Sequence, residues 1–114
     1  MGDEDRIRIR HMIDASEEAL SFVRTAKKEE FSQSRQLILS VIKDIEIIGE
    51  AASKISEETK LKYSEIPWKD IVGMRNRLIH GYFDVNINLV WNTTKNNLPP
   101  LIKSLKEIIT EEKE

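Results

Sequence analysis

Residues 32–55, SQSRQLILSVIKDIEIIGEAASKI, decide the fold class. Apolar residues recur at Leu37, Ile38, Val41, Ile42, Ile45, Ile48, Gly49, Ala52 and Ile55. Those steps of three and four make one stripe along a 3.6-residue helix. Leu39, Ile47 and Ala51 widen the apolar surface beyond one face. The helix is therefore predicted to pack on more than one side, as the centre of a bundle or of a dimer does. Gly49 costs about 1 kcal/mol of helix propensity relative to alanine. Its predicted compensation is the close approach of a neighbouring helix.

Three further helical stretches flank this one. Residues 3–28 carry Ile9, Met12, Ile13, Ser16, Ala19, Leu20 and Val23 at helical spacing. Residues 56–64 are a polar connection with room for one helical turn. Pro67 suits a helix start, because it lacks the N–H that a first turn leaves unpaired. A third helix is predicted over 68–79, turning Ile71, Met74, Leu78 and Tyr82 inward, with Gly81 placed to end it. The fourth runs over 87–111 with Leu89, Val90, Leu98, Leu101, Ile102, Leu105, Ile108 and Ile109 apolar, and Pro99-Pro100 predict a kink or short break near Asn97. Helices joined by short loops make an all-α, up-down four-helix bundle with a short additional helical segment. No β-branched apolar run bounded by turn residues suggests a sheet.

The length of 114 residues fits a single domain, 1–114, with its core over about 5–109. The chain has no cysteine, which removes disulfide frameworks and thiolate metal sites and fits a reducing cytoplasm. Residues 1–6 lack the apolar core of a signal peptide, and no run approaches the roughly 20 apolar residues of a membrane span. The expected location is cytoplasmic, with no membrane partner. Net charge is -2, which excludes nucleic-acid binding by bulk attraction alone. The distribution is uneven, however. Residues 60–82 hold Lys60, Lys62, Lys69, Arg75 and Arg77 against Glu65 and Asp70, five cations to two anions, which is +3 locally and -5 elsewhere.

That basic stretch ends in Arg75-Asn76-Arg77-Leu78-Ile79-His80-Gly81-Tyr82. An imidazole moves protons near neutral pH, with an unperturbed pKa of roughly 6.5. A guanidinium holds a phosphate through paired hydrogen bonds. Together they form a minimal kit for breaking a phosphodiester without a metal. Such cleavage of RNA needs a base for the ribose 2′-OH, charge stabilisation for the phosphorane and an acid for the leaving 5′-oxygen. His80 suits base or acid, and Arg75 suits the developing oxyanions. Asn76 lies one ideal helical turn before His80, so it can orient the histidine or contact phosphate. Arg77 is a solvated or phosphate-steering cation, and Tyr82 can stack on a base or bind a phosphate.

Blander roles stand beside these. His80 near a helix C-terminus can simply favour the terminal carbonyls, worth about 0.3–1 kcal/mol. Tyr82 can be a half-buried structural tyrosine, and His11 reads as surface. Glu46 and Glu50 sit among isoleucines, where a carboxylate is costly to bury unpaired. One of them can hold an arginine of the site, or both can lie at the edge of the stripe. Geometry adds a constraint: five residues at about 100° each set Arg75 and His80 roughly 140° apart on a straight helix. Either the helix loosens before Gly81 or two copies complete one cleft.

The arginine, four residues, histidine, one residue, tyrosine spacing of Arg75, His80 and Tyr82 resembles the signature of HepT-type toxins in the HEPN superfamily of small helical ribonucleases. Four other segments resemble that family in the same order. They are the run Ile45-Glu46-Ile47-Ile48-Gly49-Glu50-Ala51-Ala52, Ile66-Pro67-Trp68 leading into Gly73-Met74-Arg75-Asn76, Gly81-Tyr82-Phe83-Asp84-Val85, and Leu98-Pro99-Pro100-Leu101. The resemblance implies a HEPN-like helical domain and a homodimer whose motifs line a shared cleft. It implies a metal-independent endoribonuclease of a toxin–antitoxin pair that uses no cofactor and takes RNA as substrate. It also implies a nucleotidyltransferase antitoxin as partner, able to transfer AMP to Tyr82. The chain departs from many relatives in carrying Lys43 where they have a second-helix arginine. The rival expectation is a non-catalytic helical module that binds nucleotide or substrate beside a nucleotidyltransferase, with Arg75 and the nearby cations holding phosphate.

Overall fold

The computed structural model describes residues 1–79 and 84–113. Six helices follow one another: α1 Asp3–Arg24, α2 Lys28–Gln33, α3 Arg35–Ser53, α4 Glu57–Lys62, α5 Trp68–Leu78 and α6 Ile87–Glu112. The all-α class is as the periodicity predicts. The four long helices alternate in direction, as their cross-contacts establish. Glu46 of α3 meets Arg75 of α5 while Gly49, further along α3, faces Ile71 and Val72, earlier in α5; Arg8 near the start of α1 donates to the carbonyl of Lys54 just after α3, and Arg6 donates to the carbonyl of Glu112 at the end of α6. α1 packs between α3 and α6, and α3 packs between α1 and α5.

Some boundaries differ from the sequence reading. The first predicted helix runs four residues too far: α1 stops at Arg24, and Lys28 opens a separate short helix. The reason is one anchor. Phe31 of α2 is fully buried and lies 5.3 Å, ring centre to ring centre, from Trp91 of α6. Ser34, not Ser32, starts the second long helix, because its hydroxyl accepts from the Leu37 N–H at 3.2 Å. The expected turn within 56–64 is α4, capped by Ser56.

The double proline gives no break. α6 is continuous through Pro99 and Pro100. The two prolines remove the N–H partners of the Lys95 and Asn96 carbonyls. Both of those residues are exposed, so water can take the freed carbonyls. Leu98 and Leu105, at 1% and 0% exposure, hold the helix to the core on either side.

At the other end of the molecule, buried Asp5 accepts from the Ser56 N–H at 3.1 Å, the Ser56 hydroxyl at 2.5 Å and the Thr59 hydroxyl at 2.7 Å. Burial pushes this carboxyl up, and the hydrogen bonds from Ser56 and Thr59 outweigh it, so its pKa lies below the ordinary value.

The close approach expected at Gly49 is present. A Cβ there would lie 3.5 Å from the carbonyl oxygens of Ile71 and Val72 in α5. That is ordinary contact, so alanine fits without displacing α5. Gly49→Ala is expected to stabilise the fold by about 0.5–1 kcal/mol through reduced unfolded-state freedom. A thermal melt reads the result directly; a lower midpoint than wild type would mean that α3 and α5 cannot accept even one methyl.

Candidate functional site

The motif enters through α5, whose buried residues Trp68, Ile71, Met74 and Leu78 turn inward against the rest of the bundle. Of the four residues predicted to point inward, Ile71, Met74 and Leu78 do so, and Tyr82 lies outside the described residues. The helix ends at Leu78, before Gly81. Ile79 is extended, with φ -129° and ψ 117°. It pairs antiparallel with Val85, and the Asn86 N–H donates to the Leu78 carbonyl at 3.0 Å. Asn86 then caps α6, its side chain accepting from the Leu89 N–H at 3.1 Å. The chain entering the motif's last residues and the chain leaving them are thus held side by side.

Ideal-helix geometry does not extend past Leu78. The 140° divergence of Arg75 and His80 and the one-turn stacking of Asn76 under His80 both assume that α5 continues to His80. An extended Ile79 breaks that periodicity. His80, Gly81, Tyr82 and Phe83 themselves lie outside the described residues.

Arg75 is half-exposed, and its Nε lies 3.6 Å from Oε1 of Glu46 on α3. Of the two carboxylates flagged on α3, Glu46 therefore meets the motif's arginine. Glu50 pairs instead with Lys54 at 3.0 Å, along its own helix. Arg77 points elsewhere, because two residues on a helix are about 200° apart. It lies 3.8 Å from Asp70 and lines a cavity of about 420 Å³ between α5 and α6, with Met74, Pro100 and Leu101 among its walls. Asn76 is exposed. The structure thus turns the two arginines to different faces of α5, Arg75 toward Glu46 of α3 and Arg77 toward the cavity beside α6.

A larger groove, about 580 Å³, runs between α1 and α3 and shares Glu46 with the Arg75 pair. Arg8, His11, Lys43 and Lys54 line it with Glu4, Glu46 and Glu50, so its charges are mixed. Exposed Ile7 and Ile47 add apolar walls. His11 is exposed, as read from the sequence. Among the described residues, no group of three or more histidine, aspartate and glutamate side chains is arranged to hold a metal ion. Among them, too, no helix is long and apolar enough to cross a membrane.

Sequence reasoning passed over Asp44. It is 2% exposed, and its Oδ2 has no hydrogen-bond partner. Burial first, and the neighbouring Glu18 carboxyl second, push its pKa up to about 7. The signal was present: Asp44 stands three residues after Val41 and four before Ile48, on the buried stripe.

The class defined by these features is a small all-α domain with an arginine-bearing helix end packed across its central helix. The chain belongs to the ribonuclease HepT-like family, whose family model matches residues 12–108. It is similar to the protein named Putative RNase TTE0752 of Caldanaerobacter subterraneus subsp. tengcongensis, 37% identical over 105 residues, covering 92% of this chain and 94% of that one. It is also similar to the Probable ribonuclease HepT of Thermococcus cleftensis, 39% identical over 80 residues, covering 70% of this chain and 73% of that one. No solved structure matches the chain.

Proposed function

We propose that this protein is a HepT-like toxin that cleaves RNA without a metal, using Arg75 and His80. The observation that carries the reading is the family match over residues 12–108, which spans the whole motif from Arg75 to Tyr82. The names of the relatives as RNases support the substrate class. His80 takes the proton of the ribose 2′-OH as that oxygen attacks phosphorus, and Arg75 stabilises the equatorial oxygens of the phosphorane. The bond to the 5′-oxygen breaks, and an imidazolium returns a proton to it. Asn76 and Tyr82 contact the substrate around this centre, and Arg77, on another face of α5, steers the phosphate backbone from a distance. Products end in a 2′,3′-cyclic phosphate and a 5′-hydroxyl.

The reading includes a homodimer with a composite cleft. Supporting it, Leu39 and Ile47 of α3 remain 49% and 36% exposed although that helix packs against both α1 and α5. Two copies would also bring two His80 side chains, one for base and one for acid. Light scattering at micromolar concentration should give twice the 13.3 kDa chain mass. The reading includes as well a nucleotidyltransferase antitoxin that places AMP on Tyr82, adding bulk and phosphate charge beside Arg75 and His80. Mass mapping after incubation with ATP and that partner locates the adduct; AMP found on another residue removes Tyr82 from this role.

The test of the activity is incubation of the purified protein with total RNA in EDTA. Cleavage that survives EDTA and leaves cyclic phosphate ends is the expected result. A strict requirement for magnesium would overturn the mechanism, and intact RNA would overturn the activity.

A further inference from the structure

We infer that Glu46 is the positioning residue for Arg75, fixing which of its N–H donors face the substrate. The inference rests on the proposed role of Arg75 at the phosphate. Its geometry follows from how α5 rides on α3. A Cβ built on Gly49 would lie 3.5 Å from the carbonyl oxygens of Ile71 and Val72, which sets α5 directly against α3 at that level. One turn toward the start of α3 from Gly49 is Glu46; one turn toward the end of α5 from Val72 is Arg75. Because the two helices run in opposite directions, these residues meet at the next crossing turn, and the 3.6 Å pair is the consequence.

That contact is an ion pair whose nearest approach, 3.6 Å, is at Nε of the guanidinium. A guanidinium carries five N–H donors in a fixed planar fork and cannot lose its charge in a protein. Glu46 lies against the Nε edge, so the terminal nitrogens on the far side stay available for a phosphate. Without this contact, a long side chain that is 48% exposed would sample many rotamers. Among the described residues, no other carboxylate lies within 4.0 Å of Arg75. Glu50, one turn along α3, is already engaged by Lys54 at 3.0 Å.

A merely structural role makes a different forecast. With both side chains more than a third exposed, the pair is screened by water and adds little to stability. Removing Glu46 should therefore leave the fold intact and act on the reaction.

The experiment compares wild type, Glu46→Gln, Arg75→Ala and the double variant on a short fluorescent oligoribonucleotide in EDTA. It also follows the Arg75 Nε–Hε resonance by NMR, assigned by its loss in Arg75→Lys. Glu46→Gln is expected to lose about 10-fold in kcat with KM changed less than about 3-fold, at an unaltered melting midpoint. In the Arg75→Ala background, Glu46→Gln should cost nothing more, since there is no longer an arginine to position. The Nε–Hε signal should shift in Glu46→Gln. An active wild type with an equally active Glu46→Gln overturns the inference and leaves the ribonuclease reading standing, as does a loss that adds fully to that of Arg75→Ala. A wild type that leaves RNA intact overturns the ribonuclease reading instead. In that case the resonance decides the pairing by itself: an Nε–Hε signal unmoved by Glu46→Gln refutes it.

Discussion

Arg75→Ala and His80→Ala are each expected to lose at least about 10²-fold in RNA cleavage while remaining folded. A well-placed general acid or base contributes typically about 10²–10⁴-fold, and preorganised charge at a developing oxyanion about the same. The two losses should not multiply. Both residues act on one transition state, so the double variant should fall little below the weaker single variant, as residues acting as a unit do. Stability supplies the control for Arg75. Its ion pair with Glu46 is half-exposed, so its removal should move the melting midpoint by no more than a surface substitution does. Activity that persists in His80→Ala would identify a contaminating nuclease or another proton carrier. A collapse of the melting midpoint in the same variant would instead favour the bland reading, in which the imidazole serves the packing of the chain.

The class of the fold was legible because helical periodicity is local: a stripe such as Val41, Ile45, Ile48 and Ala52 is written within one segment. The pairing of a carboxylate with the motif's arginine was one of two readings the sequence left open, and the structure has both, with Glu46 paired yet 39% exposed at the edge of the stripe. A glutamate among isoleucines has to find a counter-charge or water, and Glu46 meets Arg75. What could not be read depends on partners distant in sequence. α2 is only six residues long, and what fixes it is Phe31 against Trp91, sixty residues on. The end of α5 was read to within one residue, 79 against Leu78, but the extended Ile79 paired with Val85 was not, because a single bridge leaves no alternating pattern in the sequence. At Pro99-Pro100 the break, one of the two expected outcomes, is absent. Proline's missing N–H is a local fact, but whether the residues that carry the two freed carbonyls face water is a tertiary one, and Lys95 and Asn96 are exposed.

Asp44 carries the largest expected effect on stability. A carboxyl at 2% exposure, with Oδ2 unpartnered and Glu18 beside it, is held most stably with a proton. Its surroundings offer little positive charge: the small cavity it lines is walled by His11, Asp14, Ala15, Glu18 and Ile47. The folded-state pKa is about 7 against an ordinary value of 3.8, so the folded protein binds more protons than the unfolded chain between those limits. Stability from this group is therefore complete below about pH 4, declines as pH rises toward 7, and is flat above. At about 1.4 kcal/mol per pH unit, the decline is on the order of 2–4 kcal/mol, a large share of the stability of a domain this small. Asp44→Asn keeps the shape, and its amide can donate to Glu18 as the shared proton does. The variant should match wild type near pH 4 and exceed it by several degrees in melting midpoint at pH 8. Asp5 and Glu112, whose carboxyls are held below their ordinary values, lose stability in the opposite direction as pH falls, but equally in both proteins. The difference between wild type and variant across pH 4–8 thus isolates Asp44. Glu18→Gln should reproduce part of the gain by removing the facing charge. A difference that stays constant with pH would show that the substitution altered packing between α1 and α3 and that Asp44 is already ionised at neutral pH.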